Sequence, residues 1–219
     1  MSKFIFSELS WERLNSIVKI EEKGFVPDRW NQSVSKCSTR EIEKIQLIQE
    51  YSLNYQLSLM NEATIWARTI YPLLMLAESG HIQAWAEVSL AGKYPHFEME
   101  GIADGVLGRC ISGVLNAPYL VVVEAKRGLL VKTHQFQLYK VMLVAAWLNQ
   151  QHQPKTEQEI FGCYTISDTW TFVHSIVSGF EDDYPLMVTE ISREYTQKTE
   201  AETILQILKS IVSKEQCDY

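Results

Sequence analysis

The sequence predicts an α/β fold of the α+β sandwich type, in which helices flank a mixed sheet. Three observations predict it. Apolar residues recur at helical spacing near 39–53, 60–78, 134–151 and 199–212. Between the second and third of these lie three strand-like runs, near 82–90, 97–107 and 119–126. After the third come shorter apolar runs bounded by turn residues, near 161–167, 170–174 and 186–191. The core order is therefore helix, three-strand meander, helix, strand (αβββαβ), with helical additions at both ends.

Each element has a local cause. In the first segment, Ser10 is placed to cap a helix from Trp11 to near Gly24, and Phe25-Val26-Pro27-Asp28 breaks the chain. Residues 1–38 are expected to form an extension or arm, and 39–219 the main domain. Ser38-Thr39-Arg40-Glu41 caps the next helix, which carries Ile42, Ile45, Ile48 and Leu53. The 60–78 pattern contains Pro72, which removes a helical N–H and predicts a kink or split there. The first two strands are joined through Gly92 and Pro95. Residues 109–117 are expected to be the turn between the second and third strands, with Pro118 at the first position of the third. A proline is tolerated there because its missing N–H is not yet needed. Pro154 ends the long helix that follows.

Composition narrows the function classes. At 219 residues and 25.3 kDa the chain can bury a real core. A net charge of −7 and a pI near 5.3 argue against non-specific coating of nucleic acid, but leave room for a local basic groove. Between residues 125 and 156 the charged residues are Lys126, Arg127, Lys132, Lys140 and Lys155, with no Asp or Glu. Cys37, Cys110, Cys163 and Cys217 lack zinc-ligand spacing and read as free thiols of a cytoplasmic protein. No apolar run approaches a membrane span. The five histidines show no paired metal-ligand spacing, and no Gly-x-Ser-x-Gly occurs.

One stretch carries chemistry. Pro118-Tyr119-Leu120-Val121-Val122-Val123 reads as a strand buried on both faces, and it ends in Glu124-Ala125-Lys126. Strand alternation sends Glu124 and Lys126 to one side. The hairpin before it would bring Asp104 alongside Glu124. A purely structural arrangement also accounts for these residues, with Asp104 capping a turn at Gly105 and Glu124 paired with Lys126 or Arg127. Glu98 and Glu100 share strand parity with Asp104 and either enlarge an acidic site or face water.

Asp, a hairpin, then Glu-x-Lys closing an apolar strand resembles the signature of the PD-(D/E)XK nuclease superfamily. The element order matches the restriction-endonuclease-like αβββαβ core of that superfamily. The resemblance implies a Mg²⁺-dependent nuclease acting on DNA, with Mn²⁺ able to substitute. Asp104 and Glu124 would bind metal, the Ala125 carbonyl would add an oxygen, and Glu62 would be the extra glutamate from the preceding helix. Lys126 would orient or activate water. Gln137, in Gln137-Leu138-Tyr139, matches a glutamine that several such families carry near the start of the next helix; Gln135 lies in the same zone. DNA would be held by Lys126, Arg127, Lys132 and Lys140, in a homodimer or with a partner protein. Residues 162–172 are similar to the strand pair in the nuclease domain of type I restriction motor subunits, although no phosphate-binding glycine loop is present. Ala103 stands where the superfamily's name has proline. A second Glu-x-Lys, Glu21-Glu22-Lys23, has no apolar strand before it. The alternative is a nuclease-fold protein that does not cut and serves as a nucleic-acid-binding or assembly module. An acid/base enzyme using Glu100 and Glu124 is a third possibility with no substrate indicated.

Overall fold

Eight strands form one mixed sheet with helices on both faces in the computed structural model, which describes residues 2–30, 36–126 and 131–215. In chain order the elements are β1 (Ser2–Ile5), α1 (Trp11–Asn15), β2 (Lys19–Phe25), α2 (Pro27–Trp30) and α3 (Thr39–Asn54). After a short 3₁₀ turn come α4 (Glu62–Ile65) and α5 (Tyr71–Leu76), joined by a π turn at Trp66–Ile70. The meander is β3 (Ile82–Lys93), β4 (Phe97–Ile111) and β5 (Val114–Lys126). Then follow α6 (Val131–His152), β6 (Glu157–Ile166), β7 (Thr169–Ser178), β8 (Leu186–Thr196) and α7 (Gln197–Glu215).

The sheet runs β4-β5-β6-β7-β8-β2. β3 pairs antiparallel along one edge of β4, and β1 pairs parallel with β4. β6 lies parallel to β5, which requires the crossover that α6 supplies. One face packs Leu107, Val121, Val123 and Phe172 against Ile45, Leu73, Leu74 and Leu205 of the helices. The other packs Val106, Val122 and Val173 against Leu138, Met142 and Ala145 of α6. Residues Leu138 to Ala146 are all buried, so α6 has no solvent face over more than two turns. Phe6, Leu9 and Leu14 share its cluster and help to enclose it.

Several expectations are corrected. The N-terminal helix stops at Asn15: the Ser10 side chain does accept the Arg13 N–H, but residues 19–25 pair as β2 with β8. Residues 2–25 thus supply two strands to the main sheet. Pairing overrides helical propensity here because Lys19–Phe25 lies beside an otherwise open strand edge. The 109–117 turn is far tighter. Ser112 and Gly113, at φ 53° and 78°, form a two-residue turn whose left-handed residues match the twist of the flanking strands. β5 accordingly starts at Val114, and Pro118 lies inside it. The register slips between Leu107 and Arg109, so Pro118 falls at a bulge where no ladder N–H is required. The 60–78 helix is split ahead of Pro72, which lies in the first turn of α5. Immediately before the proline, the Tyr71 N–H reaches back to the Trp66 carbonyl, and the helix widens into its π turn.

Away from the meander, a charge cluster around the buried His174 ties β6, β7 and β8 together. His174 is almost fully buried, with Nε2 2.8 Å from Glu159 Oε1 and Nδ1 3.6 Å from Glu190 Oε2. Arg29 binds Glu190, and Lys214 of α7 lies 3.2 Å from Glu159. Burial alone would raise the Glu159 carboxyl, but the His174 hydrogen bond and the Lys214 ammonium outweigh it and bring it down to about 2. Stability from a depressed carboxylate is present above its unfolded value and is lost as pH falls through the folded one. Urea titrations at stepped pH should therefore show unfolding free energy falling from about pH 4.3 towards about pH 2. The fall should be shallower in Glu159→Gln.

Candidate active site

The site lies where β4 changes partners. β1 runs parallel to β4 and its last pair is Ile5 with Glu100. β5 runs antiparallel, and its last pair with β4 is Val123 with Gly105. The C-terminal ends of β1 and β5 therefore point at each other along one edge of β4, and residues 101–104 cross the gap between them. On the other edge, β3 pairs with Ala103 and Gly105 but not with Asp104; Glu87, the residue between its two partners, is left-handed at φ 52°. A non-glycine residue in that conformation is strained, and such strain gathers at functional sites.

Asp104 is shared by two clefts. One, of about 330 Å³, is walled by Ile5, Phe6, Gly101, Glu124, Gln137 and Val141. The other, of about 360 Å³, is walled by Glu62, Ala63, Trp66, Glu87 and Ala125. Close backbone approach shapes both. A Cβ on Gly101 would stand 2.1 Å from the Phe6 ring, and one on Gly105 would stand 2.3 Å from the Trp66 ring. These glycines are what allow the two aromatic side chains to approach β4 so closely.

The central contact is a hydrogen bond from the Ala125 N–H to Asp104 Oδ2, at 2.7 Å. Continuing the hairpin register by one step sets Asp104 opposite Glu124, so the carboxylate reaches diagonally to the next backbone donor. Glu124 is buried at 5% exposure, in the strand position that follows Val121, Val122 and Val123. Gln137 overhangs the same cleft from the start of α6, and its Oε1 is buried without a hydrogen-bond partner among the described residues.

The sequence-derived set is thus partly gathered. Asp104, Glu124 and Gln137 share one cleft; Glu62 meets Asp104 and Ala125 in the other. Among the described residues, no three His, Cys, Asp or Glu side chains are close enough to hold a metal together. The backbone of Lys126 ends β5, but its side chain, that of Lys132, and Arg127 lie outside the described residues. Lys140 is a correction: it was expected in an exposed basic groove, but it is buried, and it donates to the carbonyls of Phe6 and Leu9 at 2.5 and 3.1 Å. The enclosure of α6 by residues 6–14 leaves it no route to solvent. Glu98 and Glu100 are held in surface ion pairs with Lys93 and Lys3. Gln135 bonds Glu22 and Tyr139, which places the second Glu-x-Lys in a structural contact. Sequence reasoning missed Phe6, Trp66 and Glu87. Only the glycines at 101 and 105, isolated within a strand, hinted at close approach.

No protein-family model matches the chain, and no curated protein matches it. No helix among the described residues is long and apolar enough to cross a membrane.

The Asp104 contact makes a prediction independent of any activity. Asp104→Ala removes the acceptor of the Ala125 N–H and should destabilise the fold by about 1–3 kcal/mol. Asp104→Asn, which keeps an oxygen acceptor, should cost clearly less. Chemical denaturation of the three proteins distinguishes them.

Proposed function

We propose that this protein is a metal-dependent phosphodiester hydrolase acting on DNA, with a restriction-endonuclease-like core of the PD-(D/E)XK type. The observation that carries the reading is the convergence of Asp104 and the Glu124-Ala125 strand end at a gap in the sheet, fixed by the 2.7 Å bond. The meander β3–β4–β5, the crossover through α6 and the parallel addition of β6 support the core assignment.

The donor set fits a hard divalent cation such as Mg²⁺ or Mn²⁺. Asp104 and Glu124 offer carboxylates from neighbouring strands, the Ala125 carbonyl offers a third oxygen, and Glu62 stands across Asp104 in the second cleft. When bound, such a cation polarises a phosphodiester and lowers the pKa of its water. The protein's own part is positional. The Ala125 N–H orients Asp104 before any ligand arrives, and burial excludes bulk water from Glu124. Gln137 Oε1, a buried acceptor in the cleft wall, suits the O–H of a water held beside the scissile phosphate. Lys126, which follows Ala125 on β5, is assigned the attacking water, which it would orient or help deprotonate.

One observation favours a second reading, a non-cutting nucleic-acid-binding or assembly module. The described residues lining the two clefts include Glu62, Glu87, Asp104 and Glu124 but no Lys or Arg, and Lys140 is withdrawn into the core. DNA would then depend on Lys126, Arg127 and Lys132, on a second copy, or on a partner protein.

The deciding experiment offers purified protein single-stranded, duplex and branched DNA with Mg²⁺, with Mn²⁺, and with chelator. Cleavage should require the metal and should fall at least about a hundredfold in both Asp104→Ala and Lys126→Ala. Cleavage that survives either substitution would overturn the assignment. Binding without cleavage would favour the module.

A further inference from the structure

Lys140 has two neutral partners and one charge to balance. It is 5% exposed, in the stretch of α6 that has no solvent face, with its Nζ held by the carbonyls of Phe6 and Leu9. Carbonyl dipoles satisfy its N–H groups but do not neutralise an ammonium, and a buried charge without a counter-charge is costly. Glu124, equally buried, is the carboxylate whose field reaches it. Burial pulls the Lys140 ammonium below its usual value, and Glu124 opposes that pull. The geometry agrees. Phe6, whose carbonyl holds Lys140, lines the cleft together with Glu124, and so do Gln137 and Val141 from the same stretch of α6.

We propose that Lys140 is a positioning residue acting as a standing counter-cation to Glu124, and that it weakens the cleft's hold on a divalent metal by competing for that carboxylate. The inference rests on the metal-dependent reading above. A lysine pinned by two carbonyls cannot swing away when a cation enters, so the two positive charges share Glu124. The same pinning joins the turn after β1 to α6, which keeps one wall of the cleft in place. Lys140 therefore serves the site without touching DNA or the reacting atoms.

The test is Mn²⁺ titration by calorimetry on the full chain, comparing wild type, Lys140→Gln, Lys140→Arg and Asp104→Ala. Lys140→Gln keeps N–H donors for the carbonyls but removes the charge, and should bind Mn²⁺ about tenfold more tightly. Lys140→Arg should bind like wild type, and Asp104→Ala should lose binding. Unchanged or weaker binding by Lys140→Gln would overturn the inference and leave the metal site standing. Wild type that binds no Mn²⁺ would overturn the metal-site reading and this inference with it. A metal-free double-mutant cycle with Glu124→Gln and Lys140→Gln in urea tests the pairing even if one variant is poorly stable. The double variant should be more stable than the sum of the single losses predicts; simple additivity would refute the pairing.

Discussion

The structure depends on one long strand having two successive neighbours on the same edge. β4 is 15 residues long, and its lower part pairs with β1 while its upper part pairs with β5. Neither neighbour could cover the whole edge. β1 runs in the same direction as β4 and β5 runs against it, so the place where they meet is bounded by two C-terminal strand ends. Polar groups left without ladder partners at such a junction must be met by side chains. Asp104 does this for Ala125, and the result is a carboxylate held in a fixed direction within a hydrophobic sheet.

The N-terminal segment is indispensable to that arrangement. Without residues 2–14 the lower edge of β4 would be open, α6 would have an exposed side, and Lys140 would lose both of its carbonyls. This explains how a 22-residue helix with a weak amphipathic pattern can be an interior element: its second covering layer comes from the N-terminal segment, more than a hundred residues away. A helix apolar nearly all round is a buried helix, and here the covering partner is distant in sequence.

What could be read from the sequence follows from the range of the interactions involved. The helices α3, α6 and α7 and the meander were legible because their periodicities are local. The proximity of Asp104 and Glu124 was legible because a hairpin register is set by a turn, even though the turn is Ser112-Gly113 rather than the longer loop expected. β2 was not legible. Lys19 to Phe25 alternates weakly and becomes a strand only because β8 lies beside it. Lys140 was misplaced for a related reason. A lysine in a run free of acids reads as a solvated cation, and nothing near it in the chain discloses carbonyls more than a hundred residues away. Pro118 misled in the same way, since the bulge that accommodates it belongs to the pairing with β4.

The left-handed turn of Glu87 has a consequence beyond the cleft. β3 is 12 residues long and among the described residues pairs with β4 alone, so its outer side offers a row of peptide groups to any extended chain that approaches. A strand of that length with smooth alternation would template sheet growth from one molecule to the next. Glu87 interrupts the row near its middle with its left-handed backbone. An incoming strand would find two short stretches separated by this residue rather than one continuous ladder. The irregularity that loosens the sheet at Asp104 thus also breaks the continuity of the sheet's outer edge.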